Sequence, residues 1–169
     1  MHGHHFIDKW IARWTALGLV SLSFVFLMEQ SVAEDSKKPN HGDWPNFLGP
    51  QHNGRSLETD FLINWPAEGP PILWERSIGE GYGAPVTSRG KLLLFHRIDD
   101  QEIIECVDAE DGTKIFWTYA YDTDYVDDYG SNNGPRSSPT IDGDRVYTFG
   151  AEGVLTCLNL DSGEVLWQR

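Results

Sequence analysis

The sequence predicts an all-β protein, a partial β-propeller of about two to three four-stranded blades, and three observations predict it. First, Ala84-Pro85-Val86-Thr87-Ser88-Arg89-Gly90-Lys91-Leu92-Leu93-Leu94-Phe95 matches Ser138-Pro139-Thr140-Ile141-Asp142-Gly143-Asp144-Arg145-Val146-Tyr147-Thr148-Phe149. Each copy opens on a small residue and Pro, turns at a Gly and climbs into an apolar run ending in Phe. Second, the run from Cys106 to Gly112 (CVDAEDG) matches the run from Cys157 to Gly163 (CLNLDSG). Third, each copy closes on a Trp, at Trp117 and Trp167, and Pro71-Ile72-Leu73-Trp74 repeats that ending as the tail of a third, partial copy. Pro85 and Pro139 lie 54 residues apart, and both the Cys pair and the Gly pair lie 51 apart. A four-stranded unit of about 50 residues in tandem is the pattern of a propeller blade. A β-sandwich is the competing fold, but nothing in it requires Cys, Gly and Trp to recur in step.

In chain order, the first element is a leader at 1–33. Lys9 and Arg13 precede an uncharged apolar run from Trp14 to Met28. That run is short for a membrane span, which needs about 20 apolar residues, and suits the core of a secretory signal. Ser31-Val32-Ala33 places small residues where a signal peptidase cuts, so cleavage after Ala33 is expected, with an uncleaved anchor as the alternative. No Cys follows the run, so no lipid anchor is encoded there. His2, His4 and His5 fall within the leader and take no part in the fold argument.

Residues 34–70 form an N-terminal segment leading into the blades, which occupy 71–117 and 118–169. In the second blade the strands are expected near 138–142, 145–150, 153–159 and 164–168. Turns fall at Asp142-Gly143, Glu152-Gly153 and Ser162-Gly163, because Gly accepts the positive φ that tight hairpins need. Near-continuous apolar runs such as Leu92 to Phe95 indicate sheets covered on both faces.

The chain carries 13 Lys and Arg against 26 Asp and Glu, a net charge of −13. Phosphate binding is driven by clustered Lys and Arg, so a chain this acidic disfavours nucleic acid and anionic membrane as partners. The only two cysteines stand in the same repeat phase. Facing sheets lie about 10 Å apart and a disulfide needs Cα atoms within roughly 7 Å. Two free, buried thiols are therefore expected.

These motifs resemble the PQQ-like repeat of the quinoprotein alcohol dehydrogenase-like β-propellers. The pattern of small residue and Pro, turn Gly, aromatic-ended strand, Cys-x-(Asp/Asn) with a following Gly, and closing Trp carries the resemblance. So do Asp43-Trp44-Pro45-Asn46-Phe47-Leu48-Gly49-Pro50 with Gly54-Arg55-Ser56, and Asp127-Asp128-Tyr129-Gly130 leading into Gly134-Pro135-Arg136-Ser137-Ser138-Pro139. The resemblance implies a closed propeller of eight blades. This chain is therefore expected to be a fragment, needing further blades or self-association to close its fold, since open blade faces and edges associate. It also implies PQQ with Ca²⁺ as a cofactor in the enzymes of the group. Their marks are an adjacent Cys pair, acidic and amide Ca²⁺ ligands and a catalytic Asp, and this sequence matches none of them.

Asp122 to Gly130 departs from the EF-hand Ca²⁺ loop, with Val126 fifth, Asp127 sixth and Asn133 twelfth, and reads as a solvated acidic loop. Asn53-Gly54-Arg55 reads as a turn, and His96 on its apolar strand as a core or blade-interface residue. The phased tryptophans read as blade locks, because a cofactor would need one such residue rather than one per blade. The segment from Tyr121 to Arg136 is much longer than its counterpart, Glu75 to Tyr82. It links the outer strand of one blade to the inner strand of the next, where binding loops sit on a rigid scaffold. Tyr82 and Arg136 each stand three residues before a phased Pro, at the expected channel mouth. Candidate ligand-binding residues are Tyr82, Arg136, Asp127 and Asp128, with no catalytic residue and no metal ligand. Arg136 either offers its planar fork to a carboxylate or phosphate or ties down Asp127 or Asp128. The second reading is favoured, and Tyr82 reads first as a packing aromatic.

The function expected is an exported, non-catalytic binding or scaffold protein for a protein or polymer partner, in the periplasm, at the cell surface or secreted. The alternative is part of a PQQ-dependent dehydrogenase whose catalytic residues lie outside this chain. A carbohydrate-handling accessory protein is a third reading.

Overall fold

At Arg89-Gly90 the backbone turns with φ of 54° and 73°, the two positive values a two-residue hairpin demands. This reversal pairs β1 (Val86–Ser88) with β2 (Lys91–Ile98). A second tight turn at Asp99-Asp100 brings in β3 (Gln101–Asp108), and β4 (Ile115–Asp122) follows. The second sheet repeats the plan with β5 (Thr140–Asp142), β6 (Arg145–Phe149), β7 (Leu155–Asn159) and β8 (Val165–Gln168). Both sheets are antiparallel and ordered as in the chain, β1-β2-β3-β4 and β5-β6-β7-β8. These are the two four-stranded blades that the repeat predicts, with strand limits one or two residues inside the expected ones.

The computed structural model describes residues 42–59 and 64–169. The expected leader at 1–33 and its cleavage point lie outside the described residues, as do 34–41 and 60–63. Among the described residues no helix is long and apolar enough to cross a membrane. The tail Pro71–Trp74 forms no strand there, although Trp74 keeps its phase in the packing.

Register explains why Cys and Trp recur together. Cys106 stands opposite Trp117, and Cys157 opposite Trp167. In both blades the ladder slips by a bulge immediately after the Cys, and a bulge re-aims the side chains beside it. Both thiols are buried and free. One core spans the two blades: Val86, Leu93, Phe95, Ile104 and Cys106 meet Ile141, Val146, Leu158 and Leu160. Trp117, Tyr119 and Tyr121, alternate residues of β4, and Val165 pack against it. Burying a side chain of this size contributes about 1.5–3 kcal/mol, so this shared core couples the two blades.

Tryptophan then locks blade to turn. Trp117 Nε1 donates to the Leu160 carbonyl at 2.9 Å, and its ring covers Gly163. Trp74 repeats the arrangement one blade earlier, donating to the Ala109 carbonyl at 3.2 Å and covering Gly112. Each Trp therefore takes a carbonyl three residues before the Gly it covers.

Candidate functional site

The loop joining β4 to β5 is fixed from beneath by residues of the first blade. Arg97, on β2, is 8% exposed. Its guanidinium donates to the carbonyls of Tyr125 (2.6 Å), Asn133 (3.2 Å) and Asp99 (2.6 Å) and to the Asp100 carboxylate. Asn133 N–H donates to Glu80 at 2.9 Å, and Tyr82 N–H to the Pro135 carbonyl at 2.9 Å. At the other end, Thr123 Oγ1 and Asp124 N–H both donate to Glu152 of the β6–β7 turn. A loop of this length ordinarily costs backbone entropy to order, and here its carbonyls and amides are tied individually.

On this frame three of the four sequence candidates come together. Arg136 Nη2 reaches Asp127 Oδ1 at 2.6 Å. The guanidinium lies over the Tyr82 ring at 5.3 Å and the Tyr125 ring at 5.9 Å, within cation–π range. Asp127 itself is buried, and its second oxygen accepts from the Ser131 N–H (2.9 Å) and hydroxyl (2.8 Å). Those two bonds, backbone first, hold its carboxyl below the usual carboxylate range, and the Arg136 charge adds to them. The Tyr125 hydroxyl and the two neighbouring rings, with Asp127, raise Arg136 further still. The Arg136 side chain nevertheless stays 47% exposed. Asp128 is exposed and takes no part in the cluster.

The loop exposes Val126 and Tyr129, and Tyr82 flanks Arg136 from outside it. Tyr129 is 93% exposed, Val126 73% and Tyr82 54%. A rigid guanidinium walled by aromatic rings suits planar or amphipathic groups. The Asp127 carboxylate beside it is taken up by Ser131 and Arg136.

Three residues that organise this region are not among the sequence candidates. Arg97 and Glu80 pin the loop, and Glu102 joins the blades beside it. Glu102, wholly buried on β3, accepts from the Tyr121 hydroxyl and from Ala151 N–H of the second blade at 2.8 Å. For Arg97 and Glu102 the only sequence signal was charge within largely apolar strands, KLLLFHRI and QEIIECVD, which also carry Lys91, Glu105 and Asp108. His96, on the same strand, is buried too. Its Nδ1 accepts from Gly79 N–H at 3.2 Å, which leaves Nε2 facing Glu105 at 3.3 Å. Arg76 holds both oxygens of Glu105 at 2.9 and 2.8 Å, so His96 is part of a packing latch.

The quinone and Ca²⁺ implied by the resemblance can be tested against these donors. Ca²⁺ takes six to eight oxygens, whereas Asp127 already spends both of its own on Ser131 and Arg136. Among the described residues no three His, Cys, Asp or Glu side chains group together as metal ligands. Cys106 and Cys157 stand on different blades. The described residues do not fit the group.

The fold defines a class: a β-propeller of repeated four-stranded blades. The chain belongs to the family described as the outer membrane protein assembly factor BamB, whose PQQ-like repeat model matches residues 56–169. No curated protein matches the chain. Among solved structures it is similar to the quinohemoprotein alcohol dehydrogenase from Comamonas testosteroni, with 16% identity and a TM-score of 0.51. That likeness covers 82% of this chain and 21% of the other, so the chain spans about a fifth of the dehydrogenase. A europium-containing methanol dehydrogenase matches at 22% identity and TM-score 0.37, over 50% of this chain and 14% of that one. BamB from Moraxella catarrhalis matches at 19% identity and TM-score 0.31, over 54% and 35%. At these identities the structural likeness shows the fold alone.

Proposed function

We propose that this chain belongs to an exported, non-catalytic propeller scaffold that binds a protein or polymer partner in the periplasm or at the cell surface. The observation that carries the reading is the half-exposed Arg136 guanidinium, held by Asp127 and flanked by the Tyr82 and Tyr125 rings, on a loop that also exposes Val126 and Tyr129. Aromatic and Arg side chains on a rigid base are what protein interfaces use as anchors. Membership of a family described by an assembly factor supports a protein partner. The long, tied loop supports binding at the rim rather than chemistry in the channel.

The test uses the full chain in its native envelope with a photo-cross-linking residue at Tyr129. One defined adduct is expected, lost when Arg136→Ala is added. In parallel, titration of the full chain with PQQ and Ca²⁺ is expected to leave the quinone absorbance and the melting temperature unchanged. Saturable quinone binding with alcohol-dependent dye reduction would replace this reading with that of a dehydrogenase.

A further inference from the structure

The innermost strands β1 and β5 each have one edge without a neighbour in their own sheet. An open strand edge is a row of unpaired N–H and C=O groups that will pair with any extended chain. Here both edges are met by a short stretch of the N-terminal segment. Trp44 bridges Thr87 in antiparallel fashion, exchanging N–H···O bonds of 2.9 and 3.0 Å. The Pro45 carbonyl then accepts from Ile141 N–H of the second blade at 2.7 Å. The segment thus steps from the inner edge of one blade to that of the next within two residues.

Its side chains suit that step. Asp43 accepts from the Ser88 hydroxyl (3.0 Å) and from Arg89 N–H (2.9 Å), reading the first hairpin turn. Thr87 Oγ1 receives Trp44 N–H at 3.1 Å and lies 3.3 Å from the Gly42 carbonyl. Pro45 has no N–H to leave unpaired as the chain crosses between edges, and it holds the preceding Trp44 extended. Asn46 then ends the crossing: its side chain accepts from Leu48 N–H and its carbonyl from Gly49 N–H. Gly49, at φ 75°, sits beneath the Trp44 ring, where a Cβ would fall 2.8 Å from ring carbons.

We propose that the inner edges of β1 and β5 form a peptide-acceptor site for an extended Asp-Trp-Pro-Asn segment, filled in cis by residues 43–46 and able to open while the blades stay folded. Recognition is by strand addition, with backbone bonds giving affinity and the Asp and Trp side chains giving selectivity. Opening is local because the seat rests on three backbone hydrogen bonds and a few side-chain ones, each of which contributes little net once exchanged for water. The blades behind it share a continuous core. Phe47 and Leu48, just beyond the seat, are exposed and add little to hold it. This site is separate from the Arg136 loop and does not depend on what that loop binds.

The experiment is amide hydrogen exchange on the full chain, followed by rescue in trans. In the wild type, the Thr87 and Ile141 amides are expected to exchange at least about tenfold faster than those of the central β2–β3 ladder, as a sub-global opening requires. In the double variant Asp43→Ala, Trp44→Ala they should lose protection altogether. A synthetic peptide of residues 42–50 should then restore it, whereas the same peptide with Asp and Trp both replaced by Ala should not. If the double variant fails to fold, Asp43→Asn, which weakens the seat at the Ser88 hydroxyl and Arg89 N–H, takes its place: Thr87 and Ile141 should exchange faster than in the wild type and the unmodified peptide should slow them again. Protection of Thr87 and Ile141 equal to that of the ladder would overturn the proposal. So would the absence of rescue in a folded variant, or equal rescue by both peptides.

Discussion

Trp117 and Gly163 meet across the blade boundary so closely that a Cβ on Gly163 would lie 2.6 Å from the indole. Gly163 also has φ 71°, where a side chain is strained in its own right. Gly163→Ala therefore carries two costs, about 1 kcal/mol for the backbone and about 1–3 kcal/mol for overpacking. Denaturant melts of the full chain should show a loss of about 2–4 kcal/mol on adding these two. Trp117→Phe relieves the crowding but leaves the Leu160 carbonyl unpaired, and a loss of about 1–3 kcal/mol is expected. A melt unchanged by Gly163→Ala would mean that the ring is free to move away.

The phased Trp, Cys and Gly were legible in the sequence because one contact recurs in each blade. A repeat displays its packing as periodicity, so Trp74, Trp117 and the hairpins at Gly90 and Gly143 could be placed without coordinates. Arg136 and Tyr82 could be singled out too, each three residues before a phased proline, and Asp127 as an acid that Arg136 could tie down. Arg97, Glu80 and Glu102 were not legible, because each acts once and satisfies a neighbour distant in sequence. A lone charge in an apolar strand signals only that a partner exists. It does not say that Arg97 finds carbonyls 28 and 36 residues away. The role of Asp43-Trp44-Pro45 was equally hidden, since pairing of that segment with two strand edges leaves no repeat behind.

Glu102 and Tyr121 give an alkaline signature. Burial raises the Tyr121 hydroxyl well above its ordinary value, and its bond to Glu102 raises it further. A group with a raised folded pKa contributes stability that is complete below the unfolded value and lost as pH rises through the folded one. Stability should therefore decline once pH exceeds about 10, the ordinary tyrosine value. Tyr121→Phe should flatten that limb. At neutral pH it should cost about 1–3 kcal/mol, because a buried carboxylate loses a donor. Urea melts at pH 7 and pH 10.5 distinguish the two effects.

The Cys106 thiol is pushed up to about 11, chiefly by burial, with Lys91 opposing. The thiolate is the reactive form, so folded Cys106 should resist alkylation at pH 8.5. Labelling in the native state is expected to run at least about tenfold slower than in denaturant. Because this pKa is also raised on folding, its share of stability is present below the thiol's ordinary value and lost as pH approaches 11. Fast native labelling of Cys106 followed by mass spectrometry would show that the blade core opens far more readily than its packing allows.

Asp127 titrates in the opposite direction. Its folded pKa is lowered, first by Ser131 and then by Arg136. Its contribution is therefore present above the unfolded value, about 3.9, and lost as pH falls through the folded one. Protonation removes the charge that holds Arg136 between Tyr82 and Tyr125, so the loop should loosen on acidification. Protection of the Ser131 amide, whose N–H donates to Asp127, reports this directly and should fall as pH drops through the lowered pKa, below the ordinary carboxylate range. Asp161 is also held low, by Lys91 across the blade boundary, so acid weakens the blade contact in the same range. Asp127→Asn separates the two effects. It should lower Ser131 protection already at pH 7 and make that protection less sensitive to acid, while the Asp161-dependent change in global melting persists. If Ser131 protection in Asp127→Asn still follows the wild-type acid curve, the loop is governed by blade separation and not by its own carboxylate.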